Sequence, residues 1–269
     1  MKLYGFSLLR NGVTYDYPFR ESLLSLAPLV KTTVLALGDS KDGTEAEVRA
    51  LNLELDIVPT VWDETVRQSG LILSQQTNIA LEHLKKNYGA SDAWGFYLQS
   101  DEAIHEDDYP IIMEDLRKAQ EGGYDAIQFQ YLHFWKAYNQ MAINWWWYPH
   151  EIRAIKLDTN IQSYGDAQSF ENCKKVYQSQ ARIFHYGHIR EEASYVKKYD
   201  DFHLWWYSNE DKLAKAKRKF QKRIASVETI PYLASHPKVM EARAGGYGYP
   251  TLDVVNIVGD SRKLSAEFQ

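Results

Sequence analysis

Cysteine is nearly missing from this 269-residue chain. Cys173 stands alone, so no internal disulfide can form, and a reducing compartment is expected. Glycine (15) and proline (8) are too sparse for a string of flexibly linked modules or a low-complexity polymer. No apolar run approaches the roughly 18 residues needed for a membrane-spanning helix. The opening Met1-Lys2-Leu3-Tyr4-Gly5 lacks the basic start and long apolar stretch of a secretory signal, so a cytoplasmic protein is expected. Basic excess is absent too. A net charge of −5 argues against binding nucleic acid over the whole surface. Neither the Walker spacing nor the dinucleotide glycine pattern occurs, which removes the two commonest phosphate-loop enzymes.

What the chain has in excess is aromatic side chains, 14% of all residues, with 8 Trp, 19 Tyr and 10 Phe. Flat amphipathic rings suit stacking on sugars or bases, although large cores use them as well. Trp145-Trp146-Trp147-Tyr148 and Trp205-Trp206-Tyr207 concentrate them, and each is either an acceptor platform or ordinary packing.

Hydrophobic periodicity predicts strands at residues 4–9, 32–37, 56–61 and 94–98, alternating with helices at 19–30, 44–51 and 71–84. Thr44 and Glu47 have capping-box spacing for the second helix. Strands alternating with helices imply a mostly parallel, Rossmann-like α/β sheet with helices on both faces, whose ligands bind beyond the carboxyl ends of the strands. Four polar clusters fall at such ends: Arg10-Asn11, Asp39-Ser40, Trp62-Asp63 and Asp101-Glu102. They are read as rims of one pocket. Further strands are expected at 124–129, 151–157 and 182–188. Residues 1–200 are assigned to this domain, and 201–269 to a helical extension packed on it. Lys212 to Arg223 in that extension is a basic helix, either a solvated face or a weak contact with a membrane surface.

Three constellations can carry chemistry. Asp101-Glu102 places two carboxylates at a strand end, where a hard divalent cation, Mg²⁺ or Mn²⁺, finds oxygen ligands. The alternative is a solvated acidic turn, since Glu106, Asp107 and Asp108 follow. Asp39 leaves the second strand just before a helix, positioned to accept hydrogen bonds from a ribose or base; an ordinary turn with a helix cap reads the same. His185 and His188 flank Gly187, which permits close backbone approach. Strand alternation is expected to keep the two histidines on opposite faces. Both can equally be structural.

Phe6-Ser7-Leu8-Leu9-Arg10-Asn11, Gly38-Asp39-Ser40 through Thr44, and Tyr97-Leu98-Gln99-Ser100-Asp101-Glu102 occur in the order that resembles nucleotide-sugar glycosyltransferases of the GT-A fold. The likeness is to the family-two-like bacterial branch, with Trp147-Tyr148, Glu151-Ile152-Arg153, Gly165-Asp166-Ala167 and His185-Tyr186-Gly187 continuing it over roughly the first 190 residues. The resemblance implies transfer of a sugar from a nucleotide-sugar donor to an acceptor hydroxyl, metal-assisted and inverting, in surface polysaccharide or glycan synthesis. It implies Asp101 and His185 as metal ligands. It implies Arg10 and Asp39 at the nucleoside; Asn11, Trp62, Asn78, Gln99 and Ser100 are further candidates around the nucleotide-sugar, and Trp147, Tyr148 and Glu151 are candidates around a carbohydrate or lipid-linked acceptor. Asp166 is the expected base, with Glu102 and Glu151 as rivals. One departure stands out: the family's acidic motif begins with aspartate, and Gln99 occupies that place here. A nucleotidyltransferase and a non-catalytic sugar- or nucleotide-binding module are the competing classes. The first is weakened by the poor basic loop at Arg10-Asn11-Gly12.

Overall fold

A computed structural model describes residues 1–190 and 225–245, and between them Ser194, Lys197, Lys198, Asp201, Ala214, Lys215, Arg218, Lys219 and Lys222. The elements run β1 (Lys2–Leu9), α1 (Phe19–Leu26), β2 (Thr33–Gly38), α2 (Thr44–Ala50), β3 (Leu55–Thr60), α3 (Leu71–Tyr88), β4 (Ala93–Tyr97), β5 (Glu102–Ile104) and α4 (Tyr109–Glu121). They continue with β6 (Ala126–Trp135), β7 (Gln140–Ala142), β8 (His150–Lys156), β9 (Gln162–Ser163), β10 (Phe170–Glu171), β11 (Val176–His188), β12 (Thr229–Pro231) and a short α5 (Glu241–Ala244).

Residue alternation along the first strands builds two cores. Leu3 and Leu9 of β1, Leu35 and Leu37 of β2, and Trp94 and Phe96 of β4 turn to the face covered by α1, α2 and α4. Tyr4, Phe6, Val34, Ala36 and Tyr97 turn the other way, onto Ala80, Leu81 and Leu84 of α3. Every residue of β2 is buried, which is why it reads as an unbroken apolar run. The central order is β3-β2-β1-β4-β8-β6, with β11 against β6. The pairs β1–β2, β1–β4, β2–β3 and β6–β11 are parallel, and β8 runs against both its neighbours. This is the expected sheet, mostly parallel in its core with helices on both faces, in which β8 is reversed and β5 and β7 also run antiparallel to their neighbours β11 and β6.

The chain goes from β1 outward to β2 and β3, then returns through α3 to place β4 on the other side of β1. The switch point therefore lies between the carboxyl ends of β1 and β4, where a crevice opens. Arg10 and Gln99 to Asp101 begin at those two ends.

Two local expectations fail for physical reasons. The capping box does not form: α2 is capped by Gly43 at φ 84°, Asp42 accepts from both the Thr44 amide and its hydroxyl, and Glu47 pairs with Arg20. His185 and His188 also end up side by side, with ring centroids 5.7 Å apart, because a register shift interrupts the β11–β6 pairing between them.

Of the assigned extension, residues 225–245 pack back onto the domain: β12 pairs with β7, and Arg243 bonds Asp16 and Glu21. Lys215, Arg218, Lys219 and Lys222 of the basic segment are helical and exposed, while its other members, Trp205-Trp206-Tyr207 and the tail from 246 lie outside the described residues. Among the described residues no helix is long and apolar enough to cross a membrane.

Candidate functional site

The nucleus of the site is a row across three strands. In β5 Glu102 pairs with His185 of β11, and His185 in turn pairs with His133 of β6. Strand β5 is only three residues long, yet it converts the acidic motif from a surface turn into the edge of a buried sheet. The Tyr186 amide donates to the Asp101 carbonyl at 2.8 Å, fixing the motif from the other side.

Asp101 and Glu102, adjacent in sequence, have opposite fates. Glu102 has no exposed surface, and its carboxylate accepts from Arg153 Nε (3.0 Å) and Nη2 (2.8 Å), the Tyr131 hydroxyl (2.8 Å) and the Gln99 amide (3.0 Å). Arg153 is equally buried, and its guanidinium lies between the Tyr97 and Tyr131 rings. Both carboxylate oxygens are engaged, so Glu102 sits in a structural ion pair rather than where a base would meet an acceptor.

Asp101 instead faces a lysine, an arginine and a histidine. Its Oδ2 lies 3.2 Å from Lys198 Nζ and 3.8 Å from Arg190 Nη2, and its Oδ1 lies 4.0 Å from His185 Nε2. Burial opposes the Asp101 charge, but Lys198, His185 and Arg190 together outweigh it and hold the carboxyl below its usual range. Lys198 is pushed down to about 7, chiefly by burial and then by Arg190. Both cations lie over the Tyr17 ring, Lys198 at 4.6 Å and Arg190 at 4.9 Å. Gly187 makes this approach possible: a β-carbon there would fall 2.5 Å from His185 Nε2 and 2.8 Å from Asp101 Oδ2.

Arg10, Asn11 and Asp39 line an adjoining cleft of about 380 Å³ together with Tyr15, Glu64 and Lys197. Arg10 bridges Asp39 (3.0 Å) and Glu64 (2.8 Å), and its guanidinium rests on Trp62, 5.5 Å from the ring centroid. Trp62 is thus a buried support beneath Arg10 rather than a wall of the cleft. Lys197 faces the cleft while its neighbour Lys198 reaches Asp101, which joins the two halves of the site.

Other expected nucleotide contacts are spent on backbone. Ser100 Oγ donates to the Leu8 carbonyl (2.7 Å) and ties β4 to β1. Asn78 pairs both ways with Ser163, at 2.8 Å each, and clamps the β9–β10 hairpin onto α3. That hairpin carries Asp166. Its loop is pinned at three carbonyls on either side of Asp166: Ser74 Oγ reaches Gly165 (2.8 Å), Gln99 Nε2 reaches Ala167 (3.0 Å) and Arg153 Nη1 reaches Gln168 (2.8 Å). Gln99 therefore supplies an N–H that an aspartate lacks. Asp166 is half-buried, and burial raises its pKa.

The aromatic run resolves into distinct parts. Trp145 is 87% exposed. Trp147 packs on His133 and His188, and Tyr148 lies edge-on to His133 with centroids 4.4 Å apart. Glu151 accepts from Gln168, and burial raises its pKa.

A divalent cation can be tested against these donors. Asp101 Oδ1 and His185 Nε2 are a carboxylate oxygen and an imidazole nitrogen facing one another, a donor pair that suits Mn²⁺ or Mg²⁺. Among the described residues no three His, Cys, Asp or Glu side chains converge to make an all-protein cage. Asp101 and His185 would thus fill part of a coordination sphere, leaving the remainder to phosphate oxygens and water.

Sequence reasoning missed His133, Tyr131, Lys198 and the pairing of Arg153. Arg153 lay inside the quoted motif Glu151-Ile152-Arg153, and a charge within the apolar strand Glu151-Ile152-Arg153-Ala154-Ile155 was a signal of a buried partner.

No protein-family profile and no curated protein matches the chain. Among solved structures it is similar to S. aureus TarS residues 1–349 in complex with UDP, with 15% identity and TM-score 0.45 over 76% of this chain and 64% of that one. A longer S. aureus TarS structure gives 15% identity and TM-score 0.44, over 84% of this chain and 44% of that one. Mannosyl-3-phosphoglycerate synthase from Rubrobacter xylanophilus gives 16% identity and TM-score 0.33, over 49% and 41%. The chain spans less than two thirds of each of these proteins. At these scores the likeness identifies neither a family nor an activity.

Proposed function

We propose that this chain is a glycosyltransferase that moves a sugar from a nucleotide-sugar donor to an acceptor hydroxyl. The observation that carries the reading is the placement of Asp101, His185, Lys198 and Arg190 beside a polar cleft at the sheet's switch point. A nucleoside fits the cleft's chemistry, with Arg10, Asn11 and Asp39 offering donors and acceptors to ribose and base. Its diphosphate would then extend toward Asp101, where Arg190 offers fixed positive charge and Lys198 takes up its proton as the anion arrives.

In this reading Asp101 and His185 hold a divalent cation, Mn²⁺ or Mg²⁺, which when bound stabilises the charge of the departing diphosphate. Lys198 and Arg190 oppose the same charge from the protein side and need no reorganisation as it develops. Asp166 takes the acceptor's proton. Its raised pKa suits a base, and its loop is held to the acidic motif by Gln99 and Arg153. Trp147 and Tyr148 offer ring surface to a carbohydrate or lipid-linked acceptor. Glu151 is assigned to holding Gln168, and Glu102 to holding Arg153. A single displacement would invert the anomeric centre. A nucleotide-sugar donor is compatible with the cytoplasmic setting expected from the sequence.

Incubation with a panel of nucleotide-sugars and Mn²⁺ tests this. Wild type is expected to hydrolyse or transfer at least one donor. Asp166→Asn should lower turnover by about 10²–10⁴-fold, the range for a lost general base, with nucleotide binding retained. Donor binding without any turnover in wild type would favour a non-catalytic binding module instead.

A further inference from the structure

The donor site leaves the basic segment unused. Residues 212–223 hold seven lysines or arginines and no aspartate or glutamate, so the rest of the chain is more acidic than its net charge of −5. Lys215, Arg218, Lys219 and Lys222 are helical and exposed. Their spacing, three, four and seven residues from the first, puts them on one helix face along roughly 10 Å. Exposed cations on two other helices are matched by acids of the same helix: Arg49 pairs with Glu45, and Arg117 with Glu114 and Glu121. Among the described residues none of the four has such a partner. Like charges at these spacings repel along a helix. A face left to water gains nothing from that repulsion, whereas an anionic surface relieves all four charges at once.

The segment rejoins the domain beside a tryptophan. The Ser226 carbonyl accepts from Asn144 Nδ2 (3.3 Å), the Glu228 amide donates to Asn144 Oδ1 (2.7 Å), and the Ile143 amide donates to the Glu228 carbonyl (3.0 Å). Pairing of β12 with β7 continues the seam. Next in the chain, Trp145 is 87% exposed, with the Trp146 ring edge-on at 5.9 Å. Trp147, by contrast, turns onto His133 and His188. An indole held in the open suits the boundary between headgroups and hydrocarbon, where its apolar body and its N–H both find their surroundings.

We propose that the face bearing Lys215, Arg218, Lys219 and Lys222, with Trp145 beside its attachment to the domain, docks on an anionic phospholipid surface. The four cations meet the headgroup phosphates, and Trp145 enters the interface. Trp145 favours a membrane over a soluble polyanion, because a phosphate chain in water gives an exposed indole no apolar layer to enter. The inference goes beyond glycosyl transfer and needs neither donor nor metal.

Flotation of the full chain with vesicles of phosphatidylcholine, alone or mixed with phosphatidylglycerol, tests it. Wild type should float with the anionic vesicles, stay behind with the neutral ones, and be released by molar salt. Changing Lys215, Arg218, Lys219 and Lys222 together to glutamine should weaken partitioning by about 100-fold or more, each charge near such a surface counting for roughly fivefold. Arg117→Gln, on the paired face of α4, should leave partitioning unchanged. Lipids brominated in their acyl chains should quench part of the wild-type fluorescence, and that part should be missing from Trp145→Phe. Wild type that ignores anionic vesicles overturns the proposal, and so does a folded quadruple variant that binds as wild type does. Binding with no quenching at Trp145 that soluble polyphosphate displaces would assign the patch to a polyanion and overturn it equally. Circular dichroism should report an unchanged fold in the quadruple variant, and the quenching measurement needs no charge variant. With UDP and Mn²⁺ both left out, failure here does not touch the donor reading.

Discussion

Gly187 and Asp101 approach so closely that only hydrogen fits between them: a β-carbon at position 187 would stand 2.8 Å from Asp101 Oδ2 and 2.5 Å from His185 Nε2. Close approach of backbone to a functional carboxylate is a use that glycine alone serves. Gly187→Ala is therefore expected to push His185 and Asp101 apart while leaving the two cores untouched. Titration calorimetry with UDP and Mn²⁺ should show affinity reduced by about tenfold or more, comparable to losing a group that orients a ligand. A folded Gly187→Ala chain with wild-type affinity would remove Asp101 and His185 from the site.

Arg153 and Glu102 make a prediction about stability rather than binding. Both are fully buried, and each satisfies the other. Removing one partner strands a charge, at a cost of about 3–5 kcal/mol. Arg153→Met should show that loss in urea unfolding, and Arg153→Met combined with Glu102→Leu should recover much of it. A single-variant loss below about 1 kcal/mol, the range of exposed ion pairs, would contradict the assignment of Glu102 to structure.

A third expectation concerns acid. His236 is held at about 4, chiefly by burial, although its bond to the Tyr138 carbonyl acts the other way. Its other nitrogen lies 2.8 Å from the Tyr186 hydroxyl. In the unfolded chain a histidine takes up its proton near pH 6.5. Between roughly pH 6.5 and 4 the unfolded state thus binds more protons, so stability rises with pH through that window and is lost as pH falls through it. The full effect of His236 is on the order of 3 kcal/mol, and burial lowers His133 and His188 in the same direction. Urea midpoints should fall clearly between pH 7 and pH 5, and less steeply for His236→Gln. A pH-independent midpoint over that range would contradict the neutral buried state.

Much of the frame was legible because it is written locally. Val34 to Leu37 is an unbroken apolar run and is buried throughout, and the breaks after β1 and β4 mark Arg10 and Asp101 as strand-end residues on the rim of one pocket. The site's finer order was not legible, since it depends on partners distant in sequence. Arg153 lies 51 residues from Glu102 and Lys198 lies 97 from Asp101, and no spacing rule links them. A three-residue strand such as β5 carries no periodicity to detect. The shift that brings His188 beside His185 breaks the alternation on which the opposite expectation was built. Asn78 shows the converse error. A polar side chain on a helix near the site resembled a ligand contact, but its amide matched a strand backbone better than any solute.

The central claim is that Asp101 stands where the phosphates of a nucleoside diphosphate settle, and thermal unfolding with UDP, GDP, CDP, ADP and dTDP in the presence of Mn²⁺ tests it most directly. At least one nucleotide should raise the wild-type melting temperature, by about 5–10 °C at a hundredfold excess over its dissociation constant, and should fail to do so for Asp101→Ala. A wild-type protein indifferent to all five, or an Asp101→Ala variant stabilised as well as wild type, would contradict the account.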